Sequence, residues 1–148
     1  MLIPALAAAL AGASDAAAAA TPPASHEHDF VVRNFRFKSG ETLPELRLHV
    51  LTLGKPERDE RGQISNAVLV LHGTGGTGRQ FLSPQFADVL YGPGAPLDTT
   101  RTWVILPDDI GHGKSSKPSD GLHARFPHYD YDDMVAAQYR LVTEDLGV

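Results

Sequence analysis

Cysteine is absent from the 148 residues. That excludes disulfides, thiolate zinc sites and a thiol nucleophile, and it fits an exported protein. Clustered positive charge is missing as well. Thirteen Lys and Arg stand against 18 Asp and Glu, for a net charge of -5, so no basic patch is present to neutralise phosphates and a nucleic-acid partner is excluded. No apolar run is long enough to span a bilayer, which argues against a membrane partner. No internal repeat is visible. What remains, 42% hydrophobic and 21% charged, is ordinary globular composition at the length of a single domain.

The first cation in the chain is Arg33, so the opening stretch MLIPALAAALAGASDAAAAA carries no Lys or Arg. It resembles the apolar and small-residue parts of a secretory signal, with cleavage after Ala20 or Ala13. We therefore expect a signal peptide over 1–20 and a periplasmic or secreted protein, the competing reading being a cytoplasmic protein with an Ala-rich tail. Residues 21–29 are polar with two prolines and read as a linker. Within it His26-Glu27-His28 has no fourth ligand nearby, so it reads as solvated and no metal is expected.

From residue 30 to 148 the pattern is that of one α/β domain. Phe30, Val32, Phe35 and Phe37 alternate with polar residues, with one slip at Asn34, and a second alternating run spans Leu46 to Leu53. Joined by Ser39-Gly40-Glu41, the two predict an antiparallel hairpin peripheral to the core. Ala67 to Leu71 reads as a strand buried on both faces at the centre of a parallel sheet. A short helix with Pro84 in its first turn and a second buried strand over Thr102 to Leu106 follow, which makes a parallel crossover. The last element is a helix capped by Asp130, with Val135, Tyr139, Val142 and Leu146 at helical spacing.

Each of the two strands runs straight into a glycine loop, so both loops face one crevice at the sheet's carboxyl edge. The first, His72-Gly73-Thr74-Gly75-Gly76-Thr77-Gly78, admits three readings. Gly73-x-Gly75-x-x-Gly78 spells a dinucleotide fingerprint, but a hairpin precedes it and the acid at the next strand's end, Asp108, lies too far on. Gly73 and Gly78 have P-loop spacing, but Arg79 and Gln80 replace the Lys and hydroxyl that phosphate and magnesium need. The third takes a strand ending in His-Gly as an oxyanion-hole loop, whose backbone N–H meets the charge developed in acyl transfer. Thr74 then supplies the N–H, Gly75 is the second candidate, Gly73 allows a bare approach, and His72 is structural.

The second loop supports the third reading. Asp109-Ile110-Gly111-His112-Gly113-Lys114-Ser115 resembles the D-x-x-G-x-G-x-S loop that follows the next strand of α/β-hydrolases. A His112–Ser115 dyad is not inferred, because Ser115 is not on a G-x-S-x-G elbow. More specifically, the chain resembles the homoserine O-acetyltransferase-like branch of that superfamily from about Phe30 onward. The residues that carry the likeness are Gly40-Glu41-Thr42-Leu43-Pro44 leading to Thr52-Leu53-Gly54, Asn66 to Gly73, Phe126-Pro127, Asp133-Met134-Val135-x-x-Gln138-x-x-Leu141 and Leu146-Gly147-Val148.

The resemblance implies the N-terminal half of an α/β-hydrolase fold, an antiparallel hairpin leading into a parallel sheet with flanking helices. It implies a small-molecule ester or acyl substrate and no cofactor. It also implies a nucleophilic Ser on a G-x-S-x-G turn after the last helix, with Asp and His later still. This chain has no G-x-S-x-G, so nucleophile, acid and base are expected beyond it. The 148 residues read as a fragment, inactive alone, whose strand at 67–71 is left as an unpaired apolar edge. Transferases of the branch have H-A-L-T-G where this chain has His72-Gly73-Thr74-Gly75-Gly76, and a Cys-containing loop where it has Gly111-His112-Gly113. Both departures, with the leader, favour an ester hydrolase. A homoserine O-acetyltransferase-like acyltransferase, a dinucleotide-binding oxidoreductase and a non-catalytic module remain as competing classes.

Overall fold

The computed structural model describes residues 24–148. The signal peptide expected at 1–20 lies outside the described residues, as do residues 21–23 of the expected linker. The rest of that linker is not a linker. Strand β1 runs Ser25–Arg36 and pairs along its length with β2, Thr42–Leu53, from Ser25↔Leu53 to Arg36↔Thr42. Composition hid this because the first residues of β1 are polar and exposed. They are held by backbone pairing to β2, which does not depend on side-chain hydropathy.

The slip at Asn34 has a structural counterpart. Residues 33 and 35 pair with 45 and 43, while Asn34 and Pro44 drop out of the ladder between them. Pro44 has no N–H to give, and Asn34 adopts a left-handed φ of 50°, which Asn tolerates better than most residues. The facing parity of both strands resets there. Val32 and Phe35, three apart, are both buried, as are Leu43 and Leu46.

The sheet order is β1-β2-β4-β3, where β3 is Ala67–Leu69 and β4 is Trp103–Pro107. Strand β4 is antiparallel to β2 and parallel to β3. The short helix α1, Pro84–Leu90, makes the β3–β4 crossover with Pro84 in its first turn. A mixed sheet with flanking helices is thus observed.

Two expectations about the centre are corrected. Every residue of β4 is buried, with Trp103 and Ile105 in one apolar cluster and Val104 and Leu106 in the other. Each such side chain contributes roughly 1.5–3 kcal/mol on burial, so β4 is the strand the domain packs around. The hairpin is not peripheral either. Strand β2 lies inside the sheet and gives Leu46, Leu48 and Val50 to one cluster, Leu51 and Leu53 to the other. The run 67–71, by contrast, forms the sheet's edge among the described residues. Its Leu69 and Leu71, two apart and so on one face, are 39% and 50% exposed, while Val70 on the other face packs against an apolar cluster. An apolar edge at that position matches the expectation from the resemblance.

Helix α2, Tyr131–Arg140, begins as expected. The Asp130 carboxylate accepts the N–H groups of Asp132 and Asp133, and Asp133 returns the bond to the N–H of Asp130 at 3.0 Å, a reciprocal capping box. A π-type turn, Leu141–Asp145, extends it. The buried face differs from the expected stripe. Val135 and Tyr139 are exposed, and Asp133, Ala137, Gln138 and Leu141 are buried. Asp133 can be buried because its second oxygen accepts the Lys38 N–H at 2.7 Å. Hydropathy alone assigns that face to solvent. No helix among the described residues is long and apolar enough to cross a membrane.

Candidate active site

Past β3 the ladder continues one step, Val70 N–H to the Ile105 carbonyl at 2.9 Å, before the chain leaves the sheet. A tight turn then closes from the Gly76 N–H to the Gly73 carbonyl at 2.9 Å, with Thr74 and Gly75 at its centre. Gly75 has φ +77°, the value that the third position of a type II turn demands and that a side chain would strain. The turn exists because the sequence supplies glycine there.

The second loop, after β4, is shaped by a buried carboxylate. Asp108 accepts the Gly78 N–H on Oδ1 and the Lys114 N–H on Oδ2, both at 2.8 Å. It therefore fastens the end of the first glycine loop to the second. Gly113, at φ +51°, passes so close that a Cβ there would lie 1.9 Å from Asp108 Oδ2. Next to it Ser115 is fully buried, its hydroxyl donating to the Asp108 carbonyl at 2.6 Å and accepting the His49 N–H at 2.8 Å. With both roles taken, Ser115 staples this loop to β2 and is in no position to attack a substrate. Asp108 is the residue that sequence reading missed. The motif D-x-x-G-x-G-x-S is spelled from Asp108 through Gly111, Gly113 and Ser115, one residue earlier than the Asp109 assigned to it above.

Two imidazoles complete the junction. His72 sets Nδ1 2.9 Å from the Gly73 carbonyl and accepts the Asp109 N–H on Nε2 at 3.0 Å. His112 sets Nδ1 3.1 Å from the Ile110 carbonyl and accepts the Gly75 N–H on Nε2 at 3.3 Å. A carbonyl only accepts, so in both rings the proton is on Nδ1 and the ring is neutral. His72 thus has both nitrogens engaged in holding the loops, with none spare for base chemistry.

Together His72, Gly73, Thr74, Asp109 and His112 face the N-terminal half of α2 across a cavity of about 510 Å³. The two expected oxyanion donors separate here. The Gly75 N–H is committed to His112, which corrects its assignment as an available donor. The Thr74 N–H has no hydrogen-bond partner among the described residues. The same bookkeeping weakens the dinucleotide reading. The N–H groups of Gly75, Gly76 and Gly78 are spent on His112, Gly73 and Asp108, and a carboxylate stands where a pyrophosphate would need donors.

Elsewhere, within His26-Glu27-His28, the Glu27 and His28 side chains go to separate partners. Glu27 pairs with Arg79 and accepts from Lys114 Nζ at 2.8 Å, while His28 bonds to Asp145 at 2.6 Å, so His26-Glu27-His28 does not converge on one point. Among the described residues no group of three or more His, Asp or Glu is arranged to hold a metal ion.

Asp109, on the cavity wall, is the one carboxyl among the described residues whose titration is displaced upward. Burial raises its carboxyl above the ordinary range, partly opposed by the Ile110 N–H that bonds Oδ1 at 2.8 Å. A carboxyl whose pKa is higher folded than unfolded supports folding while protonated and loses that contribution as pH rises through the folded value. Asp109→Asn keeps the shape and an oxygen for Ile110. Its melting temperature is expected above wild type at neutral pH, with the gain gone once the medium is acid enough to protonate Asp109. A neutral-pH melting temperature below wild type contradicts this.

No protein-family model matches the chain. It is 34% identical over 127 residues to a protein of Methanothermobacter thermautotrophicus described as a probable acyltransferase, covering 85% of this chain and 37% of that one. It is 36% identical over 121 residues to the homoserine O-acetyltransferase of Thermobifida fusca, covering 72% and 31%. In structure it matches the acetyl esterase MekB with a TM-score of 0.69 at 27% identity, over 83% of this chain and 34% of that one. The chain therefore spans about a third of the length of these curated relatives.

Proposed function

We propose that this chain, similar in sequence to a probable acyltransferase and a homoserine O-acetyltransferase, is part of an enzyme of the homoserine O-acetyltransferase-like branch of the α/β-hydrolases and supplies the oxyanion-hole half of a serine acyl-transfer site. The observation that carries this is the Thr74 N–H, beside the cavity and without a hydrogen-bond partner among the described residues, while the Gly75 and Gly76 N–H groups of the same turn are bonded. A serine from beyond this chain attacks the acyl carbonyl, on a strand that takes the open edge of β3. A His, also beyond this chain, removes the serine proton, and an Asp orients that His. The carbonyl oxygen becomes an oxyanion, and Thr74 donates to it together with the N–H following the serine.

Water as the final acceptor makes the protein an ester or acyl hydrolase, which His72-Gly73-Thr74-Gly75-Gly76 and an export leader favour. An alcohol of the homoserine type makes it an acyltransferase, and the identity to the Thermobifida enzyme supports that reading comparably. Export to the periplasm or medium is part of the hydrolase reading, since acyl-CoA donors are cytosolic.

In the enzyme that carries this segment, p-nitrophenyl acetate should release about one p-nitrophenol per site in a burst, as an acyl-serine accumulates. Homoserine that accelerates the following phase identifies the transferase, and indifference to homoserine identifies the hydrolase. Absence of both burst and turnover contradicts the proposal.

A further inference from the structure

We infer that Asp109 is a specificity-determining residue of the proposed acyl-transfer site, selecting neutral acyl chains against chains that end in a carboxylate. The inference rests on the proposed acyl chemistry and names the class of acyl group that this chemistry takes.

Charge in the cavity beside Thr74 is of one sign. Among the described residues that line it are two acids, Asp109 and Asp130, and neither Lys nor Arg. The His72 and His112 rings are neutral, each keeping its proton on Nδ1 for a backbone carbonyl. Asp130 is compensated, since it caps α2 and lies 3.4 Å from Lys38 Nζ, with its side chain 52% exposed. The N-terminal end of α2, which otherwise attracts an anion, is already answered by Asp130, Asp132 and Asp133. Asp109 has no such compensation. Around its carboxyl stand the Ile110 N–H and the neutral His112 ring of its own loop, the His72 ring of the first loop and the Gln138 amide of α2. The Tyr129 hydroxyl also faces it, pushed up by burial and by the Asp109 charge.

The closed part of the cavity suits the acyl chain. In a serine acyl transfer the alcohol leaves and the acceptor enters from the open side, while the acyl group stays bonded through both steps. Asp109 and Gln138, at 9% and 7% exposure, form the buried wall. Leu71, Met134 and Val135 add apolar surface, which receives methyl and methylene groups. A terminal carboxylate brings a second negative charge beside Asp109, where little water screens the pair and no cation answers it, so the two repel.

In the enzyme that carries this segment, p-nitrophenyl hemisuccinate and p-nitrophenyl levulinate separate charge from size, because levulinate puts a methyl where hemisuccinate has a carboxylate oxygen. At about pH 8.5 wild type is expected to favour levulinate in kcat/KM, and Asp109→Asn to reduce that preference about tenfold, the scale of one like-charge contact at partial burial. Asp109→Ala should reduce it similarly, with levulinate turnover in each variant reporting that it is folded. The difference from wild type should shrink as the medium is acidified, since protonation removes the Asp109 charge. A wild-type preference for hemisuccinate, a preference that both variants leave unchanged, or refusal of both esters by an enzyme that turns over p-nitrophenyl acetate would overturn the inference. Absence of burst and turnover with p-nitrophenyl acetate is a different result, in which the acyl-transfer reading itself falls.

Discussion

Asp108→Ala is expected to lower the free energy of unfolding by about 3 kcal/mol or more. Hydrogen bonds to a charged acceptor contribute roughly 1.5–3 kcal/mol each, and this carboxylate accepts two from backbone N–H groups on different loops, at Gly78 and Lys114. At 5% exposure no bulk water replaces it, so the alanine variant leaves two donors unpaired. Gly113 cannot move in to compensate, since its bare Cα already marks the closest approach to the carboxylate. Asp108→Asn keeps the volume and one acceptor, and should lose about half as much. Urea titration reads both as a lower midpoint at unchanged slope. An alanine variant within about 1 kcal/mol of wild type would mean that the two loops are held by something other than Asp108.

The outcome for activity follows from the same geometry. Asp108 touches nothing in the proposed reaction, yet it fastens the far end of the loop whose near end carries Thr74. A loosened loop keeps its sequence motif and loses its aim.

How much of this was legible in the sequence depended on what kind of signal each feature leaves. The hairpin was readable because alternation and a Gly-containing turn are local, and β4 because an unbroken apolar run ended at Pro107. The capping of α2 was readable because Asp130 stands just before the helical spacing begins, where an N-cap residue is wanted; the return bond from Asp133 was not read. Three features were misread because their causes are not local. Residues 25–29 form strand because β2 pairs with them, against their own composition. The buried face of α2 contains Asp133 and Gln138 and leaves Val135 and Tyr139 outside, because a long-range bond to Lys38 satisfies the acid. The run 67–71 was taken as central because apolarity reports a strand's environment and not its place in the sheet order.

At the cavity, the sequence named the first glycine loop but not its wiring. His72, Gly73 and Thr74 do line the cavity. Gly75 could not be removed from the donor list without knowing that His112, 37 residues later, takes its N–H. Asp108 could have been found by spelling the second motif one residue earlier.

The central claim is that the backbone N–H of Thr74, and not its side chain, does chemistry. Comparing Thr74→Pro with Thr74→Ala in the enzyme that carries this segment tests it most directly, because proline deletes the N–H while alanine deletes only the hydroxyl and methyl. The account predicts a loss of about 10²–10³ in kcat for Thr74→Pro, the scale of about 2.7–4 kcal/mol known for one oxyanion donor, with KM nearly unchanged and Thr74→Ala close to wild type. Equal losses in the two variants, or a folded Thr74→Pro enzyme with wild-type kcat, would contradict it.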